Sequence, residues 1–294
     1  MGTSASSRGP GSGSDIPIVP PWVENPPAPP STHPITTPPQ PTQPSPSSAS
    51  PGSAPNPLQV PPASPALPSQ PGRWRGARTS LGKFASGGAD RQRHLTRGLG
   101  HYSRSGMGGA ANTARRLRGS SRSAGVLHTT LTSLAQGTSL PPEIGIDAQA
   151  LAGLSPEQVL DAIVNAIRPI DGTQDSEATR DSAARALSEI MAENQDLTGL
   201  TVPQIDKVTA SLLGHDVALR IELDVGKAVI DKAPTKVDGL ERLQEMKDYV
   251  REVVAREYAA ERARVGTVGQ AAIERISDNA IRQTFEIFED EAGL

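Results

Sequence analysis

The residues whose types most clearly allow a chemical reaction lie at the start of the chain, in the stretch MGTSASSRGPGSG. Met1 precedes Gly2, whose small side chain favours removal of the initiator methionine, so we expect Gly2 to carry a free α-amine. Such an amine titrates at about 7.7 to 8, so roughly a tenth is unprotonated at neutral pH, against well under about a thousandth of a lysine amine. Glycine has no Cβ and admits the close approach of an activated carbonyl. The sequence therefore predicts an acylation site at Gly2.

Two other interpretations of this stretch remain open. The letters MGTSAS also fit the N-myristoylation pattern, with Ser6 in the required place, which would make the protein lipidated and membrane-associated. One myristoyl chain anchors only weakly, and no stretch of the sequence approaches about 18 uncharged apolar residues, so we predict no membrane association. The second interpretation is that the stretch is a frayed terminus without a role.

No other pattern in the chain predicts catalysis. There is no Cys, which excludes disulfides and thiol chemistry and favours a cytoplasmic location. The histidines are scattered singly, without the spacing that places two imidazoles on one helical face. No local motif suggests an acid and base pair or a Ser, His and Asp set. We therefore expect no metal, no cofactor and no enzymatic activity of the chain alone. The histidines are His33, His94, His101, His128 and His215.

A basic segment is the second candidate site. Between residues 73 and 125 the chain carries twelve Arg or Lys against one acid, Asp90, whereas residues 126–294 are strongly acidic. Cations interleaved with Trp74 and Phe84 are typical of surfaces that follow a nucleic-acid backbone. The alternative is that the segment docks on the acidic part of the same chain or on an acidic partner. The candidate residues are Arg73, Arg75, Arg78, Lys83, Arg115, Arg116 and Arg118.

These sites fall on three segments of different composition. Residues 1–72 are rich in Pro, Ser and Thr, which prevents helix or sheet from propagating and predicts a long disordered tether. An apolar island within it, IPIVPPWVENPP, contains Trp22 and resembles a short docking motif. Residues 73–137 form an Arg/Gly-rich segment in which we expect short helices, with Thr79 or Ser80 as the first cap. Residues 138–294 predict an α-helical domain, so the fold class is mostly α.

Helix signals dominate the last segment. Ser155, Pro156 and Gln158 predict a capped helix start, and Pro169 predicts its end. Further helices fit SEATRDSAARALSEIMAEN and PQIDKVTASLLGH. The stretch ALRIELDVGKAVI alternates like a strand but also satisfies helical spacing, and we favour helix because no second strand is available to pair with it. Two later helices carry apolar stripes, and the first pairs Asp248 with Arg251 and Glu252 with Arg256. The stripes are Leu240, Leu243, Met246, Val250, Val253, Val254 and Tyr258, and Ile273, Ile276, Ala280, Phe285 and Phe288.

Five short stretches together resemble the QatB family of the bacterial Qat anti-phage defence system. They are MGTSASS, VPPWVENPP, RWRGARTSLGKFASGG, RGLGHYSRSGMGGA and ELDVGKAV. The resemblance implies three partners: the ATPase QatA, the QueC-like enzyme QatC and the TatD-like nuclease QatD. QueC-type enzymes activate a 7-deazaguanine carboxylate with ATP and pass it to an amine. The resemblance thus implies that QatC attaches a 7-deazaguanine to Gly2, with Thr3 and Ser4 recognised beside it.

Overall fold

The structure is a computed structural model that describes residues 72–146, 151, 153–194, 197–266 and 269–293. These residues form helices and contain no strand, which confirms the mostly α fold class. The predicted tether lies outside the described residues except for Gly72. The α-helices are α1 Arg75–Ser86, α2 Arg91–His101, α3 Ala110–Arg116, α4 Arg118–Gln136, α5 Pro156–Ile167, α6 Gln174–Glu193, α7 Val202–Ile221, α8 Lys227–Lys232, α9 Lys236–Ala263 and α10 Gln270–Glu291.

Four shorter helical turns complete the described chain. Two are 3-10 turns, at Pro142–Ile144 and Leu197–Gly199. The other two are π-helical turns, at Tyr102–Met107 after α2 and at Glu222–Gly226 between α7 and α8. Turns of the π type are rare and occur often at functional sites. No helix in the described part of the chain combines the length and the apolar run needed to cross a bilayer.

A single hydrophobic cluster joins the Arg-rich segment to the later helices. It extends from Trp74, directly before α1, and Leu81 on α1 to Phe285 and Phe288 on α10. Helix α1 packs against α2 and α8, α10 packs against α2, α3 and α4, and α7 packs against α6 and α9. The basic residues of the segment 73–137 therefore stand on helices whose other faces are buried.

A row of aromatic rings holds the start of α1 in this core. Trp74 stacks on Tyr102 with 4.7 Å between ring centroids, and Tyr102 stacks on Phe285 at 6.0 Å. Phe285 meets Phe288 edge to face at 5.6 Å. Gly106 makes room for the first ring, because a Cβ at this position would lie 1.9 Å from Trp74. The sequence has only two Trp, three Tyr and three Phe, so this row uses half of its aromatic side chains.

The predicted helix starts were right at α5 and wrong at α1. Ser155 caps α5 through the backbone N–H of Gln158, whose side chain accepts a hydrogen bond from the Ser155 N–H at 2.9 Å. Helix α1 already begins at Arg75, so Thr79 and Ser80 lie inside it and cap nothing. The reason is tertiary: packing of Trp74 in the aromatic row fixes the chain one turn earlier than the local cap signal indicates.

The ambiguous stretch is helical, as favoured. Helix α7 continues to Ile221, passes through the π-helical turn and resumes as α8. Ile221, Val225 and Val229 are buried at helical spacing, whereas Leu223, which a strand would have placed beside Ile221 and Val225, is 47% exposed. The helical period therefore describes this stretch, and the alternation was coincidental.

The apolar stripe on α9 is buried except at its first member. Leu240 is 58% exposed, so its predicted burial was wrong. Gly239 is buried instead, and a Cβ on it would lie 2.9 Å from the Cα of Ile230. Because α9 approaches α8 through this glycine, the next residue is rotated by about 100° toward solvent. The stripe on α10 is buried along its whole length, as predicted.

Candidate functional site

A groove of about 800 Å³ runs between α1 and α8, and we call it the basic groove. Its cationic lining residues are Arg75, Arg78, Lys83, Lys227 and Lys232, and its acidic ones are Asp224 and Asp231. Three of these cations were candidates from the sequence. Gly72, where the described residues begin, lies at the edge of the same groove.

The positions of the cations follow from helical spacing and from one glycine. Arg75, Thr79 and Lys83 recur every four residues and form one line along α1. On the other wall, the side chain of Lys232 crosses α1 at Gly82, where an added Cβ would lie 3.0 Å from its Cγ. Glycine at this point therefore allows α8 to bring its cations close to those of α1.

Both carboxylates of the groove already have partners. The hydroxyl of Tyr102 donates to Oδ2 of Asp224 at 3.0 Å, and the backbone oxygen of Asp224 accepts from Nη2 of Arg78, also at 3.0 Å. Burial raises the pKa of the Asp224 carboxyl above its usual value, although Tyr102 opposes this shift. The carboxylate of Asp231 pairs with Nζ of Lys236 at 3.0 Å.

The cations of the groove, by contrast, have no ionic partner in the part of the chain that the structure describes. Within the described residues, no carboxylate oxygen lies at ion-pair distance from any of the five. All five are exposed. Cations held near one another without neutralisation create a positive potential that attracts an anionic partner.

A second basic surface adjoins the first on the other flank of α1. A cavity of about 450 Å³ between α1 and α2 shares Arg75, Thr79 and Lys83 with the groove and adds His94, Arg97 and His101. His101 packs against Gly76, where a Cβ would lie 3.1 Å from the imidazole. Burial, with a smaller contribution from Arg97, lowers the pKa of His101. We call the groove and this cavity together the basic band.

The aromatic rings predicted to interleave with the cations lie elsewhere. Phe84 is fully buried and Trp74 is 8% exposed, both within the hydrophobic cluster. The expectation that these rings share the surface with the cations was therefore wrong. On a helix that packs against two neighbours, apolar rings turn to the core while cations on the opposite face remain in water.

The other cations named from the sequence do not enter the basic groove. Arg73 lies over the Trp74 ring at 4.5 Å, and Arg116 contacts the sulfur of Met107 at 3.9 Å. These two line a separate cavity of about 210 Å³ with Arg220. Arg115 hydrogen-bonds Asn112, and Arg118 pairs with Asp278 at 3.9 Å. The basic candidates thus divide between the basic groove, this smaller cavity and separate surface positions. The N-terminal candidates, Gly2, Thr3, Ser4 and Trp22, lie outside the described residues.

Besides the hydrogen bond from Arg78 to the backbone oxygen of Asp224 within the basic groove, further polar contacts with the acidic part of the chain lie outside the basic band. Arg91 pairs with Glu245 on α9 at 3.1 Å, and Ser103 donates to Glu289 on α10 at 2.5 Å. Arg118 on α4 reaches Asp278 on α10. Part of the basic segment therefore does contact the acidic helices, while the cations of the basic band face solvent.

Sequence reasoning missed Lys227 and Lys232. They stand in KAVIDK, more than a hundred residues after α1, and only the packing of α8 against α1 brings them to the groove. The nearest signal was the helical period of the stretch before them, which indicates a helix but not its neighbour.

A second groove provides a reference for the first. It runs between α7 and α9, encloses about 810 Å³, and we call it the neutral groove. Its three cations are paired: Arg262 with Asp206 at 3.0 Å, Lys207 with Glu193 at 2.6 Å, and Arg251 with Asp248 at 3.1 Å. The pair of Arg251 with Asp248 was predicted from the sequence. The predicted pair of Glu252 with Arg256 was wrong, because Arg256 contacts Glu257 at 3.1 Å instead.

The described residues thus define a class of helical protein with an exposed basic band. Among these residues, no group of three or more His, Asp or Glu side chains could hold a metal ion. Residues 108–288 match the family model described as QatB, Qat anti-phage system associated protein QatB. The chain belongs to the QatB family and is a component of the Qat anti-phage system. The match covers α8 with Lys227 and Lys232 but not α1. Neither a search of curated proteins nor one of solved structures found a match.

Proposed function

We propose that the chain is a non-catalytic subunit that presents the α-amine of Gly2 as a substrate to the QueC-like enzyme QatC. The enzyme would activate a 7-deazaguanine carboxylate as an acyl adenylate. The amine attacks the acyl carbon, a C–N bond forms, the C–O bond to AMP breaks, and the amine loses a proton to solvent. The product is an amide-linked 7-deazaguanine at the protein terminus.

Membership in the QatB family is the observation that carries this proposal. It supports other components of the Qat system as partners: QatC first, and the ATPase QatA and the TatD-like nuclease QatD beside it. Thr3 and Ser4 would be recognised with the amine, and Trp22 would dock on a partner. A chain without cysteine suits the cytoplasm, where we place the reaction.

The chemistry of the helical part favours the terminal amine over its buried nucleophiles. Burial, reinforced by Asp224, raises the pKa of the Tyr102 phenol well above its usual value. Burial and the nearby Asp206 carboxylate likewise raise the pKa of Tyr258. Such phenols stay protonated at neutral pH and do not attack an acyl group, whereas about a tenth of an α-amine is free base.

Intact mass spectrometry of the chain co-expressed with QatC tests the proposal. We expect the mass of the wild type to rise by one 7-deazaguanine acyl group. The mass of Gly2→Glu should not rise, because a bulky second residue retains Met1. Gly9→Glu makes the same change in the same stretch without altering the terminus, and it should remain modified. An unmodified wild type beside active enzyme contradicts the proposal, and a lipid at Gly2 would differ in mass and in detergent partitioning.

A further inference from the structure

The net charge of the chain is −3, so any attraction for an anion has to come from a local concentration of cations. The basic band is such a concentration. Two consecutive helices and one that is distant in sequence contribute to it: α1 with Arg75 and Lys83, α2 with Arg97, and α8 with Lys227 and Lys232. We propose that the basic band binds the phosphate backbone of duplex nucleic acid without reading its base sequence.

The spacing of the cations suits a row of phosphates. Arg75 and Lys83 stand two turns apart on α1, which places their Cα atoms about 12 Å apart along the axis. A B-form duplex whose axis runs along α1 presents about three to four phosphates of one strand over this length, since each strand carries one phosphate for every ~3.4 Å of duplex axis. Thr79 between them supplies a hydroxyl, and hydroxyls are common donors to phosphate oxygens.

The lining of the basic band favours a backbone over bases. Proteins that bind single strands without sequence preference stack bases mainly on exposed Trp, Tyr and Phe rings, and the described lining residues of the band include none of these three types. Trp74 and Phe84, the rings nearest in sequence, are in the core. Helix α1 is also flanked by α2 and α8, so it does not protrude as a helix that enters a major groove does.

The same lining disfavours a protein partner. Stable protein interfaces depend on a few buried aromatic or aliphatic anchors and the pockets that accept them. In the basic groove Ala228 is the one apolar side chain among the described lining residues, and the cavity between α1 and α2 has none. A surface of cations and hydroxyls without an apolar anchor is typical of polyelectrolyte binding, in which released counterions supply the free energy.

The close packing on both flanks of α1 gives the band a fixed shape. Lys232 packs against Gly82 and His101 packs against Gly76. A Cβ added to either glycine would lie only 3.0 to 3.1 Å from the neighbouring side chain. The cations are therefore already close together before the ligand binds, so binding costs less side-chain entropy. This inference goes beyond the proposed modification of Gly2 and does not depend on it.

Fluorescence anisotropy of the full chain with a labelled DNA duplex of about 20 base pairs, titrated at several salt concentrations, tests the inference. We expect log K to fall with log salt with a slope of about −4 to −5, since about five phosphates are neutralised. Lys227→Gln with Lys232→Gln should flatten this slope by about 2 and weaken binding about equally for two unrelated sequences.

A matched double variant separates the band from general charge. Arg115→Gln with Arg122→Gln also removes two exposed cations, but neither residue lines the band, so the slope should stay unchanged. Equal weakening by both double variants would overturn the inference. So would the absence of duplex binding, tighter binding of a single strand, or equal affinity for a polyglutamate peptide. Gly2→Glu should bind the duplex as the wild type does, so the failure of one proposal is distinguishable from failure of the other.

Discussion

The basic groove and the neutral groove enclose almost the same volume, about 800 and 810 Å³, but they differ in the partners of their charges. In the neutral groove, cations and carboxylates pair across and along α7 and α9, as Arg262 does with Asp206. In the basic groove one carboxylate accepts a hydrogen bond from the buried Tyr102 and the other pairs with Lys236, while the cations remain exposed and form no ion pair within the described residues.

This difference separates charges that contribute to folding from charges available for binding. A part-buried ion pair has partners that depend on each other, so removing one partner leaves an uncompensated charge. An exposed cation without a partner contributes little to the folded state and loses nothing internal when a ligand neutralises it. Volume alone would have ranked the two grooves as equals.

The grooves also differ in how their walls are held, and this gives the largest expected effect. Gly106→Ala would place a Cβ 1.9 Å from the Trp74 ring, against which the start of α1 is seated. Overpacking of this degree should cost about 3 kcal/mol in the free energy of unfolding. Urea unfolding followed by circular dichroism measures this loss.

Gly214→Ala is the matched change at the neutral groove. Its Cβ would lie 3.2 Å from the Cα of Arg251, a contact that a small shift of α9 relieves. Replacement of an interior helical glycine by alanine also gains up to about 1 kcal/mol of helix propensity, so the net change should be close to zero. If Gly106→Ala is as stable as Gly214→Ala, the aromatic row does not hold α1.

The sequence predicted a structural feature where the contact that fixes it lies between residues close together in the chain, and failed where that contact is tertiary. Ser155 and Gln158 cap α5 through neighbouring backbone, so sequence was sufficient for that helix start. The line of Arg75 and Lys83 was missed, because the predicted cap at Thr79 or Ser80 left Arg75 outside α1. The meeting of Lys232 with Gly82 is tertiary, and no local pattern indicates it. Trp74 was misassigned for a related reason: a chain with few aromatic rings uses them in its core, whatever charges stand beside them.

Arg262→Gln should have the second largest effect. Its guanidinium donates to Asp206 at 3.0 Å and to the backbone oxygens of Val265 and Gly266 at 2.7 and 2.9 Å, so the variant weakens a part-buried pair and the end of α9 together. We expect a loss of about 2 kcal/mol in the free energy of unfolding. The double variant at Lys227 and Lys232, which breaks no ion pair, should stay within about 0.5 kcal/mol of the wild type. Comparable losses in both would remove the distinction between the grooves.

The smallest expected effect is a pH dependence on the neutral-groove side. His215 pairs with Glu189 at 2.8 Å, and burial, opposed by that hydrogen bond and reinforced by Arg251, lowers the pKa of the imidazole below 6.5. Hydrogen bonds from Ser211 and His215 hold the pKa of Glu189 below 4.5 despite its burial.

A histidine with a lowered pKa in the folded state stabilises the protein fully above its unfolded value, and this stability is lost as the pH falls through the folded value. We therefore expect the wild type to lose stability as the pH falls below 6.5, and His215→Gln, which keeps a donor for Glu189, to lose less. His101 also has a lowered pKa but is present in both proteins, and Glu189 titrates below 4.5. The difference in urea midpoint between wild type and His215→Gln, measured between pH 6.5 and 4.5, therefore reports the His215 imidazole. Parallel pH profiles for wild type and variant would show that burial beside Glu189 does not shift the pKa of His215.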